Sequence, residues 1–156
     1  MDDQEVLRKR GKSSKAKGKR YEKEIADLLS KYFPDAKPGR SQTGPRESFL
    51  PDVSGVSKDT KNGRVAFWVE CKSQKRTNPK KALEQAEQEA LDAGDPRPGL
   101  VFAKDPPIKG KKNEFVCMRP ETFMHLLGVV FTDLTEDSAG ESDKVQAILD
   151  FIKKLT

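Results

Sequence analysis

The sequence predicts an α/β domain with a mixed central β-sheet flanked by helices, and three observations carry that prediction. Arg64–Lys72 is rich in β-branched and aromatic residues and follows Asn62-Gly63, a strong hairpin signal. A helical pattern (Pro79–Ala93) and a buried-type strand (Leu100–Ala103) come next, so strand, helix and strand imply a parallel crossover. Upstream, Tyr21, Ile25, Leu28, Leu29 and Tyr32 recur at helical spacing.

The elements follow in chain order. Residues 1–16 are expected to be a disordered basic arm, because Gly11-Lys12-Ser13-Ser14-Lys15 shows no apolar period. A helix is predicted over Lys17–Tyr32 and stopped by Pro34. Lys37–Ser48 is polar and rich in Gly, Ser, Arg and Pro, the composition of a loop. Asp52–Val56 is a short strand leading into the hairpin. On Arg64–Lys72, alternation puts Val65, Phe67, Val69 and Cys71 on one face and Ala66, Trp68, Glu70 and Lys72 on the other. The Pro79–Ala93 helix has Asn78 as N-cap, Pro79 at its first position and Gly94 as its stop. Lys104–Asn113 is expected to be a basic Pro/Gly loop, Glu114–Met118 a strand and Pro120–Leu127 a short helix. The domain is therefore placed at 17–131. Residues 132–156 form an acidic linker and a last amphipathic helix, Lys144–Leu155, with Val145, Ile148, Leu149, Ile152 and Leu155 on one side.

Composition narrows the function classes. The chain has 156 residues, 34% hydrophobic and 35% charged, enough for one domain with a small core. No apolar run nears the roughly 20 residues of a membrane span, and the basic N-terminal residues lack the apolar stretch of a signal peptide. An intracellular, cytoplasmic protein without membrane association is expected. Cys71 and Cys117 are the only cysteines and His125 the only histidine, which excludes a disulfide scaffold and argues against zinc. Gly110-Lys111-Lys112 is no phosphate-binding loop, so no nucleotide cofactor is expected. Residues 1–20 carry eight Lys/Arg against three acids, a balance of 8 − 3 = +5, which is the whole net charge of the chain. A basic arm on a neutral domain points to a nucleic-acid partner, although a solubilising tail has the same composition.

The chemistry concentrates at Asp52, Glu70 and Lys72. Glu70 and Lys72 are two apart on a strand and project from one face. The hairpin can bring Asp52 beside Glu70. Two converging carboxylates make a hard-oxygen site for Mg²⁺, with Mn²⁺ as substitute, and the Cys71 backbone carbonyl is available to complete it. A lysine beside them can orient a water and offset phosphate charge, an arrangement suited to phosphodiester hydrolysis. A cross-strand salt bridge would use the same three residues.

Pro51-Asp52 followed by Glu70-Cys71-Lys72 resembles the PD-(D/E)xK nuclease signature. Lys17-Gly18-Lys19-Arg20-Tyr21-Glu22-Lys23-Glu24-Ile25 is similar to the opening of archaeal-type Holliday junction resolvases, and Arg40-Ser41 before a Gly-containing loop resembles that family too. The resemblance covers about residues 17–127. It implies a restriction-endonuclease-like core and a Mg²⁺-dependent homodimer that nicks two opposing strands of a four-way DNA junction. It also implies a catalytic set of Glu22, Asp52, Glu70 and Lys72, with Glu22, Asp52, Glu70 and the Cys71 carbonyl toward metal. A helical wheel leaves Glu22 and Glu24 open; the resemblance selects Glu22. Candidate DNA contacts are Lys17, Lys19, Arg20, Arg40, Ser41, Arg46, Lys75 and Arg76, and Gln85 on the second helix is a further site candidate. The stretch before Asp52, the Lys58–Asn62 loop and the acidic C-terminal segment are longer than in compact members, while the long basic arm is like that of phage-borne members. Three alternatives stay open: a nuclease of the same superfamily acting on duplex DNA, a non-catalytic branched-DNA-binding module, and an RNA- or ribosome-associated basic protein.

Overall fold

The computed structural model describes residues 3–39, 50–61 and 63–136. Its elements are α1 (Asp3–Leu29), β1 (Lys37–Pro38), β2 (Val53–Ser54), β3 (Ser57–Thr60), β4 (Gly63–Ala66), β5 (Trp68–Ser73), α2 (Pro79–Asp92), β6 (Gly99–Ile108), β7 (Lys111–Cys117) and α3 (Pro120–Glu136). Five strands form a mixed sheet in the order β1-β2-β5-β6-β7, and β3 and β4 form a two-stranded sheet of their own. The α/β class and the mixed sheet are as the sequence predicts. The chain divides into two compact units, one comprising residues up to Lys58 and Ala66–Arg119, the other Asp59–Val65 and residues from Pro120 onward.

In the first unit, β5 is central. It pairs antiparallel with β2 and parallel with β6, the crossover being made by α2. Being covered on both faces, β5 is apolar at successive positions, Trp68 and Val69 both being buried. Its register with β6 sorts the faces: Glu70 aligns with Val101 and Lys72 with Ala103, while Cys71 aligns with Phe102 and Ser73 with Lys104. The first face meets α2, whose Ala82, Leu83, Ala86 and Ala90 pack with Trp68 and Val101. The second meets α1: Lys104 Nζ sits 5.4 Å from the Tyr21 ring centroid and pairs with Glu24. Helices thus cover opposite faces of β5. Asn78 caps α2 by accepting the Lys81 N–H at 3.1 Å, and Gly94 ends it at φ 67°.

Several elements differ from the sequence expectation, each for a physical reason. Helix α1 starts at Asp3, so Asp3–Ala16 is helical and not an irregular arm. Lys, Arg, Gln, Glu and Ala form helix readily without an apolar stripe. The buried face of α1 is Tyr21, Ile25, Ala26 and Leu29, whereas Leu28 and Tyr32 are exposed. The expected strand Arg64–Lys72 is split at Phe67, which changes partners. Its N–H donates to Val56 O at 3.0 Å, and its carbonyl accepts from Arg97 at 3.2 Å. The expected loop Lys104–Asn113 is largely a β-hairpin. Lys109 and Gly110 both have positive φ, 49° and 76°, which suits a tight two-residue turn, and the ladder is irregular between Asp105 and Ile108, where Pro106 and Pro107 lack N–H donors.

In the second unit, Thr60 Oγ1 donates to Gly63 O at 2.7 Å across the hairpin tip. Helix α3 runs beyond Leu127 to Glu136, with Phe123 and Met124 exposed, as is His125. The expected helix Lys144–Leu155 lies outside the described residues. Among the described residues no helix is long and apolar enough to cross a membrane.

Candidate active site

The site forms where β2 ends against β5. Val53 aligns with Val69, and the Asp52 N–H donates to Val69 O at 2.9 Å, which sets Asp52 next to Glu70. Strand β2 reaches no further back, so the Cys71 N–H has no ladder partner on that side. The Asp52 carboxylate takes its place, Oδ2 accepting from Cys71 N at 2.8 Å. The Gly39 N–H donates to Asp52 O at 2.7 Å. A Cβ at Gly39 would collide with the Pro51 carbonyl, so a residue without a side chain is needed at that contact.

Glu70 and Lys72 project from the same face of β5, as alternation requires. Lys72 Nζ donates to Glu70 Oε1 at 2.5 Å and to Gln85 Oε1 at 3.0 Å. Gln85 Nε2 in turn donates to Glu89 Oε1 at 2.7 Å, one turn along α2. Lys72 is thus held between a strand carboxylate and a helix amide whose orientation Glu89 sets.

Charge is poorly compensated here. Glu70 is 6% exposed, and burial, then repulsion from Asp52, pushes its carboxyl up to about 7, against the opposing pull of Lys72. Asp52 is also raised by burial, although the Cys71 N–H and Lys72 work the other way and Glu89 adds to the rise. Two carboxylates sharing a buried corner titrate as a pair. Burial, then the nearby carboxylates, hold the Cys71 thiol protonated, and neither Cys71 nor Cys117 is in a disulfide.

Glu22 and Glu24 differ in their surroundings. Glu22 is half-buried, and its carboxyl is raised by burial and then by Asp52, while Lys19 lowers it. Glu24 is turned away to Lys104, at 3.1 Å. Asp52, Glu70 and Lys72 are therefore brought together, with Glu22 in electrostatic reach. Among the described residues, however, no group of three or more His, Cys, Asp or Glu side chains is gathered as a ready metal cage. The donor chemistry still fits a hard divalent cation, because buried carboxylates with raised proton affinity are what such a charge relieves. Asp52 and Glu70 would hold it, with Glu22 beside them and Lys72 released from Glu70. The Cys71 peptide is placed at the site by its N–H.

The candidate DNA contacts are distributed as follows. Lys17, Lys19 and Arg20 are exposed on α1, and Lys75 and Arg76 are exposed on the bend between β5 and α2. That bend is anchored by Thr77, whose hydroxyl and N–H both donate to Asp105 Oδ1, at 2.6 and 3.0 Å. Arg40, Ser41 and Arg46 lie outside the described residues. The sequence leaves Gln85 facing either solvent or the site; it is exposed and accepts from Lys72. Sequence reasoning missed Glu89, though a polar pair four apart beside the apolar stripe of α2 was the available signal.

Comparison of this chain with protein-family models, curated proteins and solved structures gave no match.

Proposed function

We propose that this protein is a divalent-metal-dependent endodeoxyribonuclease that resolves four-way DNA junctions by paired nicks, built on a restriction-endonuclease-like core. The observation that carries the hydrolytic reading is the buried corner where Glu70, raised by burial and by Asp52, has Lys72 at 2.5 Å. A fold needs no such arrangement for its own stability. Burying two carboxylates with a single lysine paired to one of them costs free energy that an apolar strand end would not.

A bound Mg²⁺ or Mn²⁺ would supply Lewis-acid polarisation of the phosphate and a water of lowered pKa. The protein residues supply the rest. Asp52 and Glu70 concentrate negative charge at one point, and the Cys71 N–H fixes the Asp52 carboxylate in orientation. Lys72, aligned by Gln85, presents an ammonium to the phosphodiester oxygens as charge accumulates on them. Glu22, with its proton affinity raised, is in place to accept or relay a proton at the rim. The DNA substrate is supported by the exposed basic residues of α1 and of the Lys75-Arg76 bend; the junction, the homodimer and the paired nicks rest on the resemblance of Lys17–Ile25, Pro51-Asp52 and Glu70–Lys72 to the resolvase signature.

The test is to incubate wild type and Asp52→Asn with a four-way junction and with sequence-matched linear duplex, in Mg²⁺ and in chelator. Symmetric nicks in the junction alone, lost in the variant while binding persists, support the reading. Equal cleavage of duplex transfers it to a duplex nuclease, and binding without cleavage in any divalent metal reduces it to a branched-DNA-binding module.

A further inference from the structure

Strand β6 outruns the sheet it belongs to. Its last pairing with β5 sets Lys104 opposite Ser73, after which β5 gives way to the bend that leads to α2. From Asp105 onward, β7 is its one strand partner among the described residues, through the pairs Asp105–Asn113 and Ile108–Lys111. The hairpin therefore leaves the sheet as a two-stranded ribbon, and every residue from Pro106 to Lys112 is exposed. At about 3.3 Å per residue, Ile108 stands about 13 Å beyond Lys104. The base of the ribbon is fixed: Thr77 donates to Asp105 at 2.6 Å, and Asn113 Nδ2 donates to the Pro106 carbonyl at 3.4 Å.

Charge is sorted along the ribbon. The acids at its base are engaged, Glu114 with Lys104 at 3.0 Å and Asp105 with Thr77. Beyond them come Lys109, Lys111 and Lys112 with no acid between, and among the described residues none of the three is in an ion pair. Ile108, 61% exposed, is the large apolar side chain in their midst. Lys109 holds a left-handed turn position, φ 49°, where Asn, Asp or Gly is usual. Addition of another strand is disfavoured here, because Pro106 and Pro107 offer no N–H and the lysines repel a like edge. The same end of the sheet carries Lys72, opposite Ala103, and the Lys75-Arg76 bend that Thr77 ties to Asp105.

We propose that the ribbon Asp105–Asn113 enters the major groove of the DNA duplex beside the cleaved bond, with Lys109, Lys111 and Lys112 on the flanking phosphates and Ile108 against base edges. Its substrate is that of the nuclease reading, on which this proposal rests; the groove contact is additional to it. A major groove about 12 Å wide and about 8.5 Å deep admits a two-stranded ribbon, and the projection of this one exceeds that depth, whereas a minor groove about 6 Å wide is too narrow. The lysine contacts are salt-dependent and the Ile108 contact is not.

The experiment is dimethyl sulfate footprinting at saturating protein, with fluorescence anisotropy, both in chelator, on a synthetic four-way junction and on linear duplex. Dimethyl sulfate methylates guanine N7 in the major groove and adenine N3 in the minor groove. Wild type should protect guanine N7 along one stretch of duplex. Lys109→Gln/Lys111→Gln/Lys112→Gln should lose that protection and bind about 10- to 100-fold more weakly, with a log–log salt slope shallower by about 2.7, three phosphates at about 0.9 each. Ile108→Ser should bind about fivefold more weakly with the slope unchanged. Lys31→Gln, an exposed lysine just past α1, should lose less than about threefold. Guanine N7 protection that survives in the triple variant overturns the proposal, as does protection confined to adenine N3 or a salt slope equal to that of wild type. Because binding is read without metal, a failure of the nuclease reading would appear separately, as absence of cleavage in Mg²⁺ with the ribbon footprint intact.

Discussion

Asp52 accepts the Cys71 peptide N–H at 2.8 Å, so one carboxylate both completes the sheet ladder where β2 stops and faces Glu70. The two roles separate by substitution. Asparagine keeps an acceptor oxygen for the Cys71 N–H and removes the charge; alanine removes both. Asp52→Asn should fold with near wild-type stability and lose at least about 100-fold in cleavage rate, roughly 2.7 kcal/mol of transition-state stabilisation. Asp52→Ala should in addition lose about 1–3 kcal/mol of stability, because a buried donor is left without a partner. Urea midpoints of the two variants decide this; equal stability would mean that the Cys71 contact contributes nothing.

The raised Glu70 carboxyl makes a pH prediction for the metal-free protein. Its ordinary value is 4.5 and its folded value about 7, so between these the folded state binds more protons than the unfolded one. Stability from this group is therefore at its full value below about 4.5 and falls as pH rises to about 7, beyond which the loss is complete. Thermal melts in chelator should show wild type losing stability between pH 5 and pH 8 relative to Glu70→Gln, which lacks the titration. At pH 8, Mg²⁺ should raise the melting temperature of wild type more than that of Glu70→Gln. Parallel pH profiles in chelator would show that Glu70 is not destabilised by its surroundings.

How far the sequence discloses this site depends on the kind of interaction. The β5 residues were legible because strand alternation is strictly local: Glu70 and Lys72 share a face wherever the strand lies. Asp52 was legible through the hairpin that returns the chain beside β5. The Glu22 and Glu24 alternatives were not separable, since which flank of a helix faces a site depends on tertiary packing, here the Lys104 pairing that draws Glu24 away. The helical stretch before Ala16 was missed because it has no apolar period, and the β6–β7 hairpin was hidden by Pro106 and Pro107, which read as loop residues until the irregular register accommodates them.

Gln85 and Glu89 are expected to act through Lys72. Gln85→Leu keeps the size but removes the acceptor at 3.0 Å, leaving Lys72 to Glu70 alone. Cleavage should slow by about tenfold, near 1.4 kcal/mol, with DNA affinity unchanged. Glu89→Gln removes a charge that raises both Asp52 and Glu70, so the Glu70 titration should move below about 7 and the acidic limb of the rate–pH profile should shift to lower pH with it. A slower rate with an unmoved profile in Glu89→Gln would assign that residue a merely structural part.

The turn that launches Asp52 and Val53 into place makes a graded stability prediction at its glycines. Gly55 has φ 74°, and a Cβ there would run into the backbone carbonyl of Asp35, which cannot move aside as a side-chain tip would. Gly94 has nearly the same φ, 67°, but a Cβ there meets nothing within 4 Å. Gly94→Ala should therefore cost only the left-handed backbone term, about 1–2 kcal/mol. Gly55→Ala adds a backbone collision and should cost at least about 3 kcal/mol. Because Gly55 follows β2 directly, its variant should also reduce cleavage beyond what the fraction unfolded explains, Asp52 being displaced from Cys71 and Glu70. Urea denaturation with rates measured on the same preparations compares the two; equal losses at Gly55 and Gly94 would mean that the Asp35 contact does not constrain the turn.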